Sequence, residues 1–323
     1  MTETWFVTGA AGFIGCNLAA HLLARGDRVV GFDNLATGTR ANVERLEAAG
    51  GDFAFVEGDV RDGGAVERAM DGASRAVHLA AQVTVQDSIR DYVENDSINV
   101  GGFLNALRAA GRAGVRTFAY ASSCAVYGDN PHLPLAESAP PRPLSPYGVS
   151  KLAGEEYARV LDSSLAATTL VGLRLFNVYG PWQNAEGGYA AVIPKWIDRC
   201  LKGERPVMYG DGSASRDFCF VGDVARLIAD LGGREAKRPH RVYNVGSGSS
   251  TTLRELFRTM ARCLQRAGRE LPFDAPEQQP WRAGDIVHSL ADVSRARDEL
   301  RFRPRVPLAE GLQKTLAGQF GLG

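Results

Sequence analysis

No apolar run in the 323 residues approaches the ~20 that span a bilayer, and the N-terminus lacks the basic-then-apolar layout of a secretory signal. A membrane-spanning helix is not expected, and a cytoplasmic location is. Cysteine is scarce: Cys16, Cys124, Cys200, Cys219 and Cys263 are odd in number, widely spread and form no Cys-x-x-Cys pair. That pattern argues against a disulfide framework or a zinc site and for buried free thiols. The five histidines show no His-x-x-x-His or similar spacing, so a metal centre has no support. An excess of either charge is also missing, with 37 Lys plus Arg against 37 Asp plus Glu. Neither nucleic acid nor an anionic membrane surface is implied, and specificity must come from local sites. Internal repeats and low-complexity segments are absent. What remains is an ordinary globular composition, 45% hydrophobic and 23% charged, able to bury a large core as one big domain or two smaller ones.

The first half alternates short apolar runs with helical patterns. Trp5 to Val7, Val29 to Phe32, Phe53 to Val56, Ala76 to Leu79 and Thr117 to Ala121 read as strands, with Ile14 to Leu23 as the first helix between them. Such repetition predicts an α/β fold built on a parallel sheet. Between Asp91 and Val115 a long helix is expected, since Val93, Ile98, Phe103, Leu104 and Leu107 fall roughly at helical spacing. Thr168 to Leu175 reads as a further strand. Beyond it the rhythm breaks into Gly- and Pro-rich loops, Tyr179 to Gly188, Tyr209 to Ser215 and Gln278 to Gly284, which predicts a second, smaller lobe. The apolar run Arg241 to Val245 is expected to return to the main sheet, so the lobes interleave: 1–176 with 217–248, and 177–216 with 249–323.

Thr8-Gly9-Ala10-Ala11-Gly12-Phe13-Ile14-Gly15 follows the first strand and opens a helix whose buried stripe is Leu18, Leu22 and Leu23. Glycines at 9, 12 and 15 permit a tight turn, close approach of backbone to a pyrophosphate, and close packing of helix on strand. The helix N-terminus then faces the anion. This is the dinucleotide-binding arrangement of a Rossmann-type doubly wound sheet. Asp33 ends the second strand 18 residues after Gly15, placed to accept hydrogen bonds from an adenosine ribose and to repel a 2′-phosphate. NAD is therefore expected rather than NADP, with Arg40 the nearby residue that speaks for the latter. Asp59 and Val60, after the third strand, suit the adenine edge or are simply a solvated turn.

Residues 145 to 151 read Ser-Pro-Tyr-Gly-Val-Ser-Lys. Ser145 is a good N-cap and Pro146 fits the first helical position, so a helix is expected to begin here with Tyr147 and Lys151 on one face. A fixed positive charge beside a phenol favours the phenolate and is expected to move its pKa from ~10 toward neutrality, making Tyr147 a tunable base. Taken alone, the two residues are better explained as an ordinary exposed pair on an amphipathic helix.

Together these segments resemble the extended short-chain dehydrogenase/reductases, specifically the nucleotide-sugar epimerases and dehydratases. The likeness covers nearly the whole chain. It rests on Gly9 to Gly15, Asp33-Asn34-Leu35, His78 to Ala81, Asn99, Ser122 to Gly128, and Tyr147 with Lys151. It continues through Arg174 to Pro181, Gly210-Asp211-Gly212, Arg216-Asp217-Phe218, Tyr243 to Gly246, and Arg282 with Gly284-Asp285. The resemblance implies that NAD is held by Gly9, Gly12, Phe13, Ile14, Asp33, Asn34, Thr37, Gly38, Asp59, Val60, Leu79, Ala80, Ala81, Asn99, Tyr147 and Lys151. It implies a catalytic set of Ser123, Tyr147 and Lys151, in which Ser123 hydrogen-bonds the reacting hydroxyl beside the Tyr147 base. For the substrate it implies Thr84, Ser123, Tyr147, Asn177, Gln183, Ala191, Val192, Arg216, Arg282, Asp285 and Ser289. Among these, Asn177 would contact the pyrophosphate or sugar, Arg216 and Arg282 the phosphates, and Asp285 the uridine ribose. Helices at about 91 to 112 and 145 to 162 resemble the pair through which such enzymes dimerise as a four-helix bundle, so a homodimer is implied as well.

Family members that eliminate water or decarboxylate a uronate carry an acidic residue just after the Ser or Thr of the serine motif. Here those positions hold Cys124 and Ala125. That departure implies the simplest chemistry, NAD-dependent 4-epimerisation of a UDP-sugar through a transient 4-keto sugar. With no histidine near it in sequence, Cys124 reads as packing rather than as a nucleophile. Asp33 to Gly38, Gly188 to Trp196 and Gln183 look like the bacterial subgroup acting on UDP-N-acetylglucosamine, although Val83 stands where that subgroup tends to have glycine. Ser289 stands where a bulky tyrosine in the family excludes the N-acetyl group, which leaves room for an acetamido substituent. The alternatives are UDP-glucose or UDP-glucuronate as substrate, and a catalytically silent NAD-binding protein. Glucuronate is disfavoured by Trp182, which occupies a place where some glucuronate epimerases have arginine.

Overall fold

The alternation of strand and helix resolves, in the computed structural model, into one parallel sheet of seven strands. The structure describes every residue except 1, 166, 185–190, 232–238, 282–285 and 323. In chain order the first elements are β1 (Thr4–Thr8), α1 (Phe13–Ala24), β2 (Arg28–Asp33), α2 (Arg40–Ala48), β3 (Phe53–Glu57), α3 (Gly63–Met70) and β4 (Arg75–His78). After the helices that follow β4 come β5 (Thr117–Ser123) and β6 (Thr169–Leu175), and Arg241–Val245 returns to pair with β6 as expected. Across the sheet the order is β3, β2, β1, β4, β5, β6 and the 241–245 strand. The winding changes sides between β1 and β4, so their carboxyl ends border the crevice where doubly wound sheets take ligands. Helices cover both faces, which is why β1 and β6 read as unbroken buried runs rather than as alternating ones.

The helix expected over 91–115 is longer and less regular than its periodicity suggests. It starts as α4 (Val85–Arg90), breaks at Asp91, resumes as α5 (Tyr92–Asp96), passes through a π turn at Ser97–Gly101 and ends as α6 (Gly102–Ala113). The break has a local cause: the Asp91 carboxylate accepts from the backbone N–H of Glu94 and caps the second segment. The π turn carries Asn99, a side chain whose Oδ1 accepts from Gln82 N and whose Nδ2 donates to Gln82 O and Ser150 Oγ. The next helix, α7 (Pro146–Leu161), begins where the capping residues put it, with Ser145 accepting from Gly148 N at 3.1 Å.

Past β6 the chain forms short strand pairs instead of a sheet: Asn177–Tyr179 with Phe218–Phe220, Ser215–Arg216 with Thr251–Thr252, and Val207–Tyr209 with Glu277–Gln279. An aromatic core of its own holds this part together, built on Tyr179, Trp196, Phe218, Phe220, Phe257 and Phe273. Phe13 and Ile14, the first two residues of α1, pack against that second core. The glycine turn therefore sits where the two parts of the molecule meet.

Candidate active site

The turn between β1 and α1 is shaped by what cannot fit there. Gly9 has φ +72°, and a Cβ on it would lie 2.8 Å from Ala80 N; a Cβ on Gly15 would lie 2.0 Å from the Gly9 carbonyl oxygen. Only glycine lets the backbone close this tightly against the exit of β4. The N-cap of α1 is Gly12, which has no side chain to cap with, and the first turn holds no acid. Its leading N–H groups, including those of Phe13 and Ile14, thus present the positive end of the helix dipole to an anion. The loop after β4 is fastened by Thr8, whose hydroxyl accepts from Leu79 N and Ala80 N at 3.2 Å each, while Asn99 fixes Gln82 just beyond Ala81.

Asp33 ends β2 with its carboxylate 8% exposed, accepting from Ala11 N at 3.0 Å and Leu35 N at 2.8 Å. Burial pushes its carboxyl above the usual range, and those backbone donors pull the other way. Gly38 packs beside it with no space for a side chain, and Thr37 stands next to it in the same loop. Asp59 is committed more fully than the sequence suggests. Asn34 Nδ2 donates to one oxygen at 3.0 Å and Arg61 holds both, which keeps the carboxyl down at about 2. The adjacent Val60 is buried against the core under α3 and α6. Arg40 is drawn off to Glu57 at 2.5 Å and lies 5.3 Å over the Phe55 ring.

At the end of β5, Ser123 accepts from Ala125 N at 3.1 Å, and its hydroxyl lies close enough to the Tyr147 phenol to hold that group's pKa down. Tyr147 is held by its own N–H, which donates to Ser88 Oγ at 3.1 Å. Lys151 is 8% exposed, and its Nζ donates to Ala121 O at 3.0 Å while standing 5.8 Å from the centre of the Tyr147 ring. The exposed-pair reading is overturned, because both groups face inward on strand β5. So is the expected drop of the phenol toward neutrality: burial pushes Tyr147 up to about 12, and the neighbouring Ser123 hydroxyl offsets only part of it. The same burial brings the Lys151 ammonium down to about 8. Burial also raises the Cys124 thiol to about 11, and the residue packs against the small core cluster of Val126, Tyr127, Leu135, Phe176 and Ala291.

On the substrate side, the Arg216 charge reaches Cys124, and its Nη1 donates to Ser215 O at 2.9 Å and Val287 O at 3.1 Å. Ser289, 7% exposed, is tied to the same strand by Ser289 N to Ser215 O at 3.1 Å. Asn177 turns its amide inward, donating to Asp217 O from both N and Nδ2. Thr84 caps α4 and bonds Asp87, and Gln183 is engaged with Val178 O and with Gln319. Ala191 precedes the helix Val192–Leu201, so Val192 is its first residue. Arg282 and Asp285 lie outside the described residues, as does the start of the 188–196 segment. The structure thus gathers Ser123, Tyr147, Lys151 and Cys124 at one end of β5, with Arg216 within electrostatic reach.

A family model for the NAD-dependent epimerase/dehydratase family matches residues 5–246. The chain belongs to that family. It is 37% identical over 318 residues to a UDP-glucose 4-epimerase of Mycolicibacterium smegmatis, covering 96% of each chain. Among solved structures it is similar to a UDP-N-acetylglucosamine 4-epimerase from Methanobrevibacter ruminantium in complex with UDP-N-acetylmuramic acid. That likeness has a TM-score of 0.88 and 32% identity, and covers 98% of this chain and 97% of the other. The UDP-glucose 4-epimerase of Thermus thermophilus, in complex with NAD, matches with a TM-score of 0.83 and 37% identity over 97% of each chain.

The cradle fits the cofactor of this NAD-dependent epimerase/dehydratase. An uncapped helix start suits a pyrophosphate, the buried Asp33 carboxylate ends the strand beside it, and Glu57 keeps Arg40 from a 2′-phosphate. One residue to which the sequence assigns no role is Asp217, a fully buried carboxylate that accepts from Ser247 N, Ser247 Oγ, Gly248 N and Ala291 N. Its signal was present in outline, since an acid just before the apolar run Phe218–Phe220 must find donors if that run is buried. Which donors it finds is a matter of tertiary structure.

Proposed function

We propose that this protein interconverts the C4 epimers of a UDP-sugar, and that its preferred pair is UDP-N-acetylglucosamine and UDP-N-acetylgalactosamine. The observation that carries the reading is the grouping of Ser123, Tyr147 and Lys151 at the end of β5, with Lys151 bonded to Ala121 O and 5.8 Å from the Tyr147 ring centre, beside positions 124 and 125 that offer no acid. Ser123 holds the C4 hydroxyl and Tyr147 takes its proton, with Lys151 supplying positive charge beneath the pair. NAD held by the Gly9–Gly15 turn and Asp33 would supply a reversible hydride acceptor for C4 and a cationic ring that favours the phenolate. The 4-keto sugar turns to present its other face, and Tyr147 gives the proton back to the carbonyl oxygen. Elimination needs a further base, and Cys124 and Ala125 do not provide one.

The acetamido preference rests on Ser289, whose small side chain stands beside the Ser215–Arg216 strand. A second reading, UDP-glucose and UDP-galactose, is favoured by the likeness to the Mycolicibacterium smegmatis enzyme. Purified protein given UDP-N-acetylglucosamine, UDP-glucose and UDP-glucuronate in turn, without added cofactor, decides between them once the products are separated. Turnover of non-acetylated sugars alone sinks the acetamido preference, and turnover of none sinks epimerisation.

On the same reading, residues 1–176 and 217–248 serve the cofactor and 177–216 with 249–323 serve the nucleotide-sugar; the aromatic core supports the second part and draws Phe218 and Phe220 into it from the first. We place the enzyme in the cytoplasm as a homodimer. Support for the dimer is an apolar face: Ile89, Tyr92 and Val93 on α4 and α5, and Val149, Tyr157 and Val160 on α7, are all exposed on adjoining helices. Among the described residues no helix is long and apolar enough to cross a membrane.

A further inference from the structure

We propose that the buried Glu155–Arg174 ion pair is a positioning device for the reaction, holding the helix that carries Tyr147 and Lys151 in register with the strand that carries Ser123. Glu155 follows Lys151 by one helical turn, so Tyr147, Lys151 and Glu155 run down one face of α7. Arg174 grips both oxygens of that carboxylate, Nε to Oε1 at 2.9 Å and Nη2 to Oε2 at 2.6 Å, with each side chain 5% exposed. The hydroxyl of Ser122, immediately before Ser123, donates to the same Oε1 at 2.5 Å. Sheet register arranges this, because Ser122, Arg174 and Asn244 are directly opposed on three neighbouring strands. Arg174 Nη1 also donates to the Tyr127 hydroxyl at 2.9 Å, and that hydroxyl donates to Asn244 Oδ1 at 2.6 Å. The end of β5, the turn that leaves it, β6 and α7 therefore meet at one guanidinium.

Stability alone does not account for such a pair. Replacing a buried ion pair with apolar side chains of similar volume is often neutral or stabilising, because desolvation offsets much of the attraction. What apolar side chains lack is direction. Two parallel N–H···O bonds fix both the height of α7 and its rotation about its axis. Transfer of a proton at Tyr147 is sensitive to displacements of about 1 Å, so a helix free to rotate would keep its fold and lose rate. Neither Glu155 nor Arg174 touches the reacting atoms in this account, and both act through Tyr147 and Ser123.

The inference rests on Tyr147 as the base, and its test separates the two. In the double variant Glu155→Leu/Arg174→Met, the melting temperature and NAD retention stay near those of the parent. The KM for the UDP-sugar stays within about twofold while kcat falls about tenfold or more. Parental kcat in the folded, NAD-loaded double variant overturns the inference. Should the double variant not fold, Glu155→Asp decides, since it keeps the charge and withdraws the carboxylate by one methylene. Reduced kcat at unchanged KM supports the positioning role, and unchanged kcat overturns it. Tyr147→Phe is measured alongside. An active Tyr147→Phe enzyme removes the base assignment itself, whereas an inactive one beside a fully active double variant removes only the positioning role.

Discussion

Lys151 donates its ammonium to the carbonyl of Ala121 at 3.0 Å, while the Tyr147 ring centre stands 5.8 Å away. A single acceptor does not make up for lost water, and burial brings the lysine down to about 8 from the ordinary ~10.4. Between those values the unfolded chain holds a proton that the folded chain has released, so stability rises with pH across that window and is lost again as pH falls through about 8. Tyr147, pushed up to about 12, works in the opposite sense only above the ordinary tyrosine range near ~10. Denaturant melts of the parent from pH 7.5 to 9.5 should therefore show a gain of about 1–2 kcal/mol that Lys151→Met lacks. Equal slopes for the two proteins would mean that the ammonium is not desolvated.

Ser289→Tyr tests the size of the sugar pocket. A tyrosine there should lower kcat/KM for UDP-N-acetylglucosamine by about 100-fold and leave UDP-glucose within about threefold, because steric exclusion acts only on the substrate that carries the extra group. Competition assays on mixed substrates read this ratio directly. A uniform loss on both sugars would place Ser289 in the fold of the Ser215 strand, to which its N–H is bonded, rather than at the acetamido position.

What could be read from the sequence was local. The glycine turn, the first five strands and the start of α7 depend on neighbouring residues, as in the Ser145 cap on Gly148. The break at Asp91 was also written in local cap chemistry, but hydrophobic periodicity ran across it and hid it. Tyr147 shows where local reasoning stops. Its lysine neighbour was visible at one helical turn, while the burial that raises the phenol's pKa is set by tertiary packing. Asp217 and Glu155 could not be assigned for the same reason: Ser247 and Ala291 lie 30 and 74 residues beyond Asp217, and Arg174 lies 19 beyond Glu155.

The apolar face on α4, α5 and α7 gives a prediction about assembly. Val93 and Val160 are 68% and 60% exposed on adjoining helices, so charge at either position costs the monomer little, within about 0.5 kcal/mol. Val93→Glu combined with Val160→Glu should convert a dimer to a monomer by light scattering, with the melting temperature falling as the partner's contribution is lost. A parent protein that is already monomeric at tens of micromolar would remove the dimer proposal. A doubly charged variant that still elutes as a dimer would take the interface off this face.

Asp217 accepts four hydrogen bonds with two oxygens: Ser247 N at 2.5 Å and Ser247 Oγ at 2.7 Å on one, Gly248 N at 3.0 Å and Ala291 N at 3.2 Å on the other. Its backbone oxygen takes Asn177 as well, and Ala291 lies two residues after Ser289. Asp217→Asn replaces one acceptor by an NH₂ that faces N–H or O–H donors whichever way the amide turns. Each unmet buried group costs about 1–3 kcal/mol, so the fold should lose about 2–4 kcal/mol. The glycine cradle at β1 and α1 makes none of these bonds, and NAD retention should be unaffected. The KM for the UDP-sugar should rise about tenfold, since the segments bearing Asn177, Arg216 and Ser289 share this anchor. A variant that loses stability with KM unmoved would make Asp217 a support for the fold and nothing more.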